Sequence, residues 1–290
     1  MSAATPPLVL SIQSHVAWGH VGNAAAVFPL QRLGFEVLPI HTVQFSNHTG
    51  YGQFRGQVFG AEHVREVLLG LRERGVLPRL SAVLSGYLGD AESGRVILEA
   101  VGEIRQSNPN LRYLCDPVMG DVGRGVFVNP AIPDFLRDQA IPFANIITPN
   151  QFEFELLTGS KLTSVQDAVR VARQLRGRGP DTVVVTSLAT ADIAEGKLGT
   201  LAVNGEGAWL VLTPHLNLHP LPNGMGDVFS ATLLGRLLAG CKLPQALELA
   251  TATLYGLVER TASGARDLPL VAEQEQIVNP EQAFVAKLVN

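Results

Sequence analysis

Residues 82–116 read AVLSGYLGDAESGRVILEAVGEIRQSNPNLRYLCD. Ala82–Ser85 has the short apolar run of a buried strand, Glu92–Gln106 reads as a helix, and Tyr113–Asp116 as a second strand ending on an acid. The same alternation continues on both sides. Upstream, Leu8–Ile12 reads as a strand, Gly22–Leu33 as a helix stopped by Gly34, and Glu36–His41 as a strand. Glu62–Gly75 is helical by its Val64, Val67, Leu68 and Leu71 stripe. Downstream, Pro133–Gln139 reads as a short helix and Asn145–Thr148 as a strand. Gln151–Leu157 and Ser164–Arg178 read as helices, and Thr182–Thr186 as a β-branched buried strand. Gly199–Val203 and Ala208–Thr213 form an antiparallel pair turning at Gly205. Asp227–Ala239 and Pro244–Ala262 close the pattern as helices. Repeated strand–helix units predict an α/β fold with a mostly parallel central sheet covered on both faces. No repeat, linker or low-complexity tract interrupts residues 1–290, so one domain is expected, with Met1–Pro7 a frayed start.

Composition narrows the function classes. Of 290 residues, 46% are hydrophobic, enough for a sizeable core, and the net charge of −4 carries no nucleic-acid footprint. Two cysteines, Cys115 and Cys241, suit a reducing compartment rather than a disulfide scaffold. Without a signal-peptide pattern or an apolar run of about 20 residues, a cytoplasmic protein without membrane spans is expected. The only lysines are Lys161, Lys197, Lys242 and Lys287. None follows a glycine-rich phosphate loop, so P-loop chemistry and a Schiff-base lysine are both disfavoured.

Ligands of such sheets bind beyond the carboxyl ends of the strands. Four polar segments fall there: Ser11–His15, Ser85–Tyr87, Asp116–Asp121 and Thr148–Glu153. A fifth, Pro222-Asn-Gly-Met-Gly-Asp227, precedes an apolar helix. Gly224 and Gly226 admit close backbone approach, and the N–H groups of the helix start, Met225 included, suit an anion. Asp227 can take the proton of an attacking hydroxyl, or simply cap the helix. Asp116, Asp121 and Glu153 offer carboxylates for Mg²⁺, or mark a strand end and a solvated turn. Gly120–Gly125, with Arg124, is a lid or a plain loop. Phe45, Thr49 and Tyr87 provide a flat wall and polar groups for an aromatic heterocycle. His48 reads as an ordinary loop histidine.

In their fixed order these segments resemble the pyridoxal kinases of the ribokinase superfamily, from about Val9 to Pro280. The resemblance rests on Ser11-Ile-Gln-Ser-His-Val16, Val21-Gly-Asn23, Gln44–Tyr51, Ser85-Gly-Tyr87, Cys115–Asp121, Thr148–Glu153, Gly179–Ser187 and Gly224–Asp227. It implies a ribokinase-like three-layer α/β/α sandwich and phosphorylation of the 5′-hydroxyl of pyridoxal by ATP in vitamin B6 salvage. It assigns Ser14, Phe45, Thr49, Gly50 and Tyr87 to the substrate, and Gly224, Met225, Gly226 and Asp227 to the anion hole and base. Asp116, Asp121, Thr148, Asn150, Glu153, Thr186 and Ser187 go to ATP, with Thr213, Pro214, His215 and Leu216 as a weakly matching nucleotide-base loop. Asp116, Thr148 and Glu153 go to metal: Mg²⁺, with K⁺ as an optional second cation. A homodimer is implied. Met225 replaces a threonine common among relatives, and Val126 stands where some bacterial relatives have a lid cysteine. A hydroxymethylpyrimidine kinase, which usually has cysteine in place of Asp227, and a non-catalytic B6-binding protein remain the alternatives.

Overall fold

The computed structural model describes residues 6–290; of the expected frayed start, residues 1–5 lie outside the described residues. β1 (Leu8–Trp18) leads into α1 (Asn23–Arg32), β2 (Glu36–Asn47) and the short β3 (Gly56–Val58). α2 (Ala61–Glu73), β4 (Leu80–Ser85), α3 (Ala91–Ser107) and β5 (Arg112–Cys115) follow. A small hairpin of β6 (Gly120–Asp121) and β7 (Gly125–Val126) precedes α4 (Ala131–Phe135), a wider π-type turn at Leu136–Ala140 and α5 (Ile141–Phe143). Next come β8 (Ile146–Ile147), α6 (Gln151–Thr158), α7 (Val165–Arg176), β9 (Thr182–Leu188), β10 (Lys197–Val203) and β11 (Ala208–Pro214). α8 (Met225–Leu238), α9 (Leu243–Glu259), α10 (Glu275–Val278) and β12 (Lys287–Leu288) follow in turn.

Ten strands make one sheet in the order β12-β11-β10-β9-β8-β5-β4-β1-β2-β3. The six strands from β9 to β2 in that order are parallel, and the outer strands on both sides add antiparallel. The expected ribokinase-like sandwich with a mostly parallel sheet is therefore present. Strand order reverses at β1, which has β2 on one side and β4 on the other. Such a reversal opens a crevice at the carboxyl ends of the strands.

Alternation along the strands explains the three layers. Leu10, Ile12, Val83, Tyr113, Cys115, Ile147, Val183 and Val185 pack with α2, α3, α4, α6 and α7. Their neighbours Val9, Ala82, Leu84, Leu114 and Ile146 face the other way, onto Ala26 and Leu30 of α1 and Ala231 and Leu234 of α8. Val184, Ala202 and Val211 continue that second face under α8 and α9. α8 is buried from Val228 to Gly235, as befits a helix between sheet and helices rather than at the surface.

Three features depart from the sequence reading. β1 and β2 run past Ile12 and His41 to Trp18 and Asn47, because the two tails pair with each other, His15 opposite Gln44, Val16 opposite Phe45 and Trp18 opposite Asn47. β3 and β12 lie at the sheet's outer ends and are exposed, so no apolar pattern announces them. The helix read at Pro133–Gln139 belongs to the longer helical stretch that passes through the π-type turn.

Candidate active site

Gly224, not Asp227, is the N-cap of α8; its φ of 79° is a left-handed conformation suited to glycine. Asp227 therefore occupies the third position of the helix, and the cap reading is corrected. The first intrahelical bond runs from Val228 N to Gly224 O, so the N–H groups of Met225, Gly226 and Asp227 remain for an anion. The Asp227 carboxylate reaches away from its own helix, and its Oδ2 accepts the Gly22 N–H over 2.8 Å. Gly22 in turn folds against β1 at φ 55°, where an added Cβ would sit 2.2 Å from the Ser14 carbonyl oxygen. Ser14, Gly22 and Asp227 are thus fastened together at the switch point. Burial pushes the Asp227 carboxyl up from its ordinary range, and the Gly22 hydrogen bond partly opposes it.

A second acidic pair lies alongside. Asp116, 4% exposed at the end of β5, accepts the Ser230 hydroxyl of α8 over 2.9 Å. That hydroxyl also lies 2.8 Å from Thr148 Oγ1. Burial, then the charges of Glu153 and Asp227, hold Asp116 well above the usual carboxylate range. Glu153 is pushed up to about 7 by burial, against three backbone N–H groups that stabilise its charge. Those donors are Met119 at 2.9 Å, Gly120 at 3.4 Å and Asn150 at 2.9 Å. Asn150 caps α6 by accepting the Glu153 N–H, and its side-chain amide donates to the Gly120 carbonyl over 2.9 Å. Asn150 and Glu153 therefore pin the root of the β6–β7 hairpin, a structural duty beyond their expected one. Asp121 caps the hairpin turn through Oδ1, which accepts the Val122 N–H.

These carboxylates bear on Mg²⁺. Asp116 feels the charges of both Glu153 and Asp227, and none of the three has a salt-bridge partner among the described residues. Their excess of negative charge suits a cation. Among the described residues no three His, Cys, Asp or Glu side chains form a ready-made cage. The Thr148 hydroxyl is engaged by Ser230 and Glu153 by backbone, which leaves Asp116 the most available direct ligand.

The substrate side is assembled from β1, β2 and β4. Ser14 is buried, and Phe45 packs 4.8 Å from Phe54, ring centre to ring centre. The Tyr87 carbonyl accepts the Thr42 hydroxyl, and burial raises its phenol. Thr49 and Gly50 are exposed on a single helical turn, Thr49–Tyr51, which His48 caps by accepting the Gly50 N–H over 3.1 Å. The hairpin meets this turn: a Cβ on Gly50 would lie 3.2 Å from the Arg124 guanidinium.

On the other side, Thr186 N donates to the Pro149 carbonyl, and Ser187 has φ 54°. It is the one non-glycine residue with positive φ among the described residues, and such outliers concentrate at binding sites. Thr213 and Pro214 end β11, His215 N donates to Gly196 O, and Leu216 packs against the same buried cluster as Met225. β11 is separated from β1 by five strands, so Thr213 and Pro214 lie well along the sheet from the switch point. A cavity of about 400 Å³ lined by Arg79, Asn108 and Arg112 lies at the opposite, amino-terminal end of β4 and β5, so concavity alone misplaces the site. Gly22, Ser230 and Asp267 are site-forming residues to which the sequence reading gave no role. Of these only Gly22, inside Val21-Gly-Asn23, carried a sequence signal.

The family model described as phosphomethylpyrimidine kinase matches residues 78–269. The pyridoxal kinase PdxY of Rubrobacter xylanophilus is 53% identical over 97% of both chains. This chain belongs to the pyridoxal kinase family. Its likeness to the family extends to PdxY of Deinococcus radiodurans, 51% identical over the whole of both chains. Among solved structures, pyridoxal kinase from Leishmania donovani in complex with ADP and pyridoxamine superposes with a TM-score of 0.91 at 31% identity, covering 98% of this chain and 99% of that one. No helix of this chain's described residues is long and apolar enough to cross a membrane.

Proposed function

We propose that this chain is an ATP-dependent pyridoxal kinase that phosphorylates the 5′-hydroxyl of pyridoxal, with pyridoxine and pyridoxamine as further substrates. The observation that carries this reading is Asp227: one oxygen is held by the Gly22 N–H, and the carboxylate lies within the first turn of a helix start with free N–H groups. The hydroxyl oxygen attacks the γ-phosphorus, the bond from that phosphorus to the β,γ-bridging oxygen breaks, and ADP leaves. Asp227 Oδ1 takes the hydroxyl proton. The N–H groups of Met225, Gly226 and Asp227 stabilise charge on the transferring phosphoryl group.

Ser14, Phe45, Thr49, Gly50 and Tyr87 bind the pyridine ring and its substituents. Asp116, Asp121, Thr148, Asn150, Glu153, Thr186 and Ser187 serve the nucleotide, and Thr213, Pro214, His215 and Leu216 its base. Asp116, Glu153 and Thr148 would hold Mg²⁺, with K⁺ as an optional second cation. The metal supplies positive charge to the phosphate oxygens in a site whose own residues are acidic. The chain works as one kinase domain, in the cytoplasm, as a homodimer.

A second reading is a hydroxymethylpyrimidine kinase, which the description of the family model favours. One assay separates the two: ATP consumption with Mg²⁺ and each B6 vitamer or hydroxymethylpyrimidine. Pyridoxal-dependent turnover is expected. Turnover with hydroxymethylpyrimidine alone supports the second reading, and no turnover with any of them supports a binding protein.

A further inference from the structure

Asp267 lies outside every motif and has no partner on its own segment, between α9 and α10. Its neighbours Leu268 and Leu270 anchor it, buried with Ala25, Val228 and Leu257. Its two oxygens go to different loops. Oδ1 accepts the His20 N–H over 3.1 Å, in the β1–α1 turn that carries Gly22. Oδ2 accepts the Tyr51 hydroxyl, in the turn that carries Thr49 and Gly50. Close packing requires Gly19 here, since a Cβ would lie 2.6 Å from Asp267 Oδ1.

Arg266 repeats the pattern. Its guanidinium donates to the Gly50 carbonyl over 3.0 Å and lies 5.5 Å from the centre of the Tyr51 ring. Its carbonyl accepts the backbone N–H of Asn223 at 2.8 Å and the Asn223 side-chain amide at 3.0 Å. Asn223 directly precedes the Gly224 cap. Two consecutive residues therefore grip the turn that holds the base, the loop that forms the anion hole and the turn that faces the substrate. Burial first, and then Asp267, raise the Tyr51 phenol, so at neutral pH it remains the donor.

We propose that Asp267, with Arg266, is a positioning latch that locks the Thr49–Tyr51 turn to the β1–α1 turn and the Gly224 loop, so that closing over the substrate and aligning Asp227 are one event. The latch rests on the kinase reading above. Both Asp267 oxygens are taken up by His20 and Tyr51, so it acts through them.

Tyr51→Phe tests it, because that change keeps the ring and deletes only the hydroxyl. The KM for pyridoxal should rise about tenfold, the worth of one charge-assisted hydrogen bond. The KM for ATP and the unfolding midpoint should stay unchanged, and amide hydrogen exchange of residues 48–52 should quicken in the unliganded chain. Asp267→Ala should raise the same KM and also lower kcat, while Asp267→Asn should restore most of both. The Tyr51→Phe/Asp267→Ala double variant should show no further rise in KM over Asp267→Ala. Wild-type KM and exchange in Tyr51→Phe, or fully additive effects in the double variant, would overturn the latch. If the wild type shows no pyridoxal-dependent turnover, the kinase reading fails instead. The exchange measurement then decides the latch alone, with unchanged exchange in both single variants overturning it.

Discussion

The Gly22 N–H donates to Asp227 Oδ2 over 2.8 Å, joining the β1–α1 turn to the start of α8 across 205 residues of sequence. One carboxylate oxygen is thereby fixed and the other left free. Gly22→Ala forces a side chain at φ 55° to within 2.2 Å of the Ser14 carbonyl. The turn must move, and the base with it. Turnover should fall about 10²-fold, as for a reacting group displaced by about 1 Å. Stability should fall by more than about 1 kcal/mol from the left-handed backbone alone. Steady-state kinetics and thermal unfolding check the two parts separately, and a wild-type rate would break the link between Gly22 and the base.

The raised Asp227 carboxyl has a kinetic consequence. A base must be unprotonated, so kcat/KM should climb with pH on an acidic limb and level off above it. The limb belongs to the coupled Asp116, Glu153 and Asp227 set, and lies above the range of an ordinary aspartate, about 3.9. A limb at or below the ordinary aspartate range would contradict the buried base.

Asp116 is strained rather than stabilising. Burial and two neighbouring carboxylates oppose its charge, so Asp116→Asn should leave the unfolding midpoint unchanged or raise it. The same change should weaken Mg²⁺ dependence of turnover and cut the rate at limiting Mg²⁺. A titration of Mg²⁺ against rate, run beside a melt, checks both. A large loss of stability would show that Asp116 is structural.

Glu153 behaves differently, because three backbone donors depend on it. Its carboxyl sits at about 7 in the folded chain against 4.5 as the ordinary value. The folded state holds this proton more tightly, so its stabilising share is complete below pH 4.5 and is lost as pH rises through about 7. Glu153→Gln should erase that part of the pH dependence. It should also cost about 1–3 kcal/mol at pH 5, since the amide turns an NH₂ toward a backbone N–H. Urea unfolding at pH 5 and pH 8 reads both effects; an unchanged pH slope in the variant would assign the proton elsewhere.

Much of this was legible in the chain. The βα alternation predicts the sandwich because strands buried on both faces must be apolar, as Val183–Val185 are. Asp227 and its glycines stand out because close backbone approach needs Gly224. The cap was misassigned because Asp and Gly both serve at helix starts, and only the backbone at Gly224 distinguishes them. Asn150-x-x-Glu153 is the pattern of a capping box, and its metal reading obscured that role. The tails of β1 and β2 carry no alternation to read; their order comes from pairing with each other, as at Val16 and Phe45. Asp267 was invisible because its two partners, His20 and Tyr51, lie more than 200 residues away.

Asp227→Asn tests the central claim most directly. The amide oxygen can still accept the Gly22 N–H, so the turn and the helix start keep their geometry, but the group can no longer take a proton. With pyridoxal, ATP and Mg²⁺, kcat should fall about 10²–10⁴-fold while the KM for ATP and the unfolding midpoint hold. A kcat near that of the wild type would contradict Asp227 as the base.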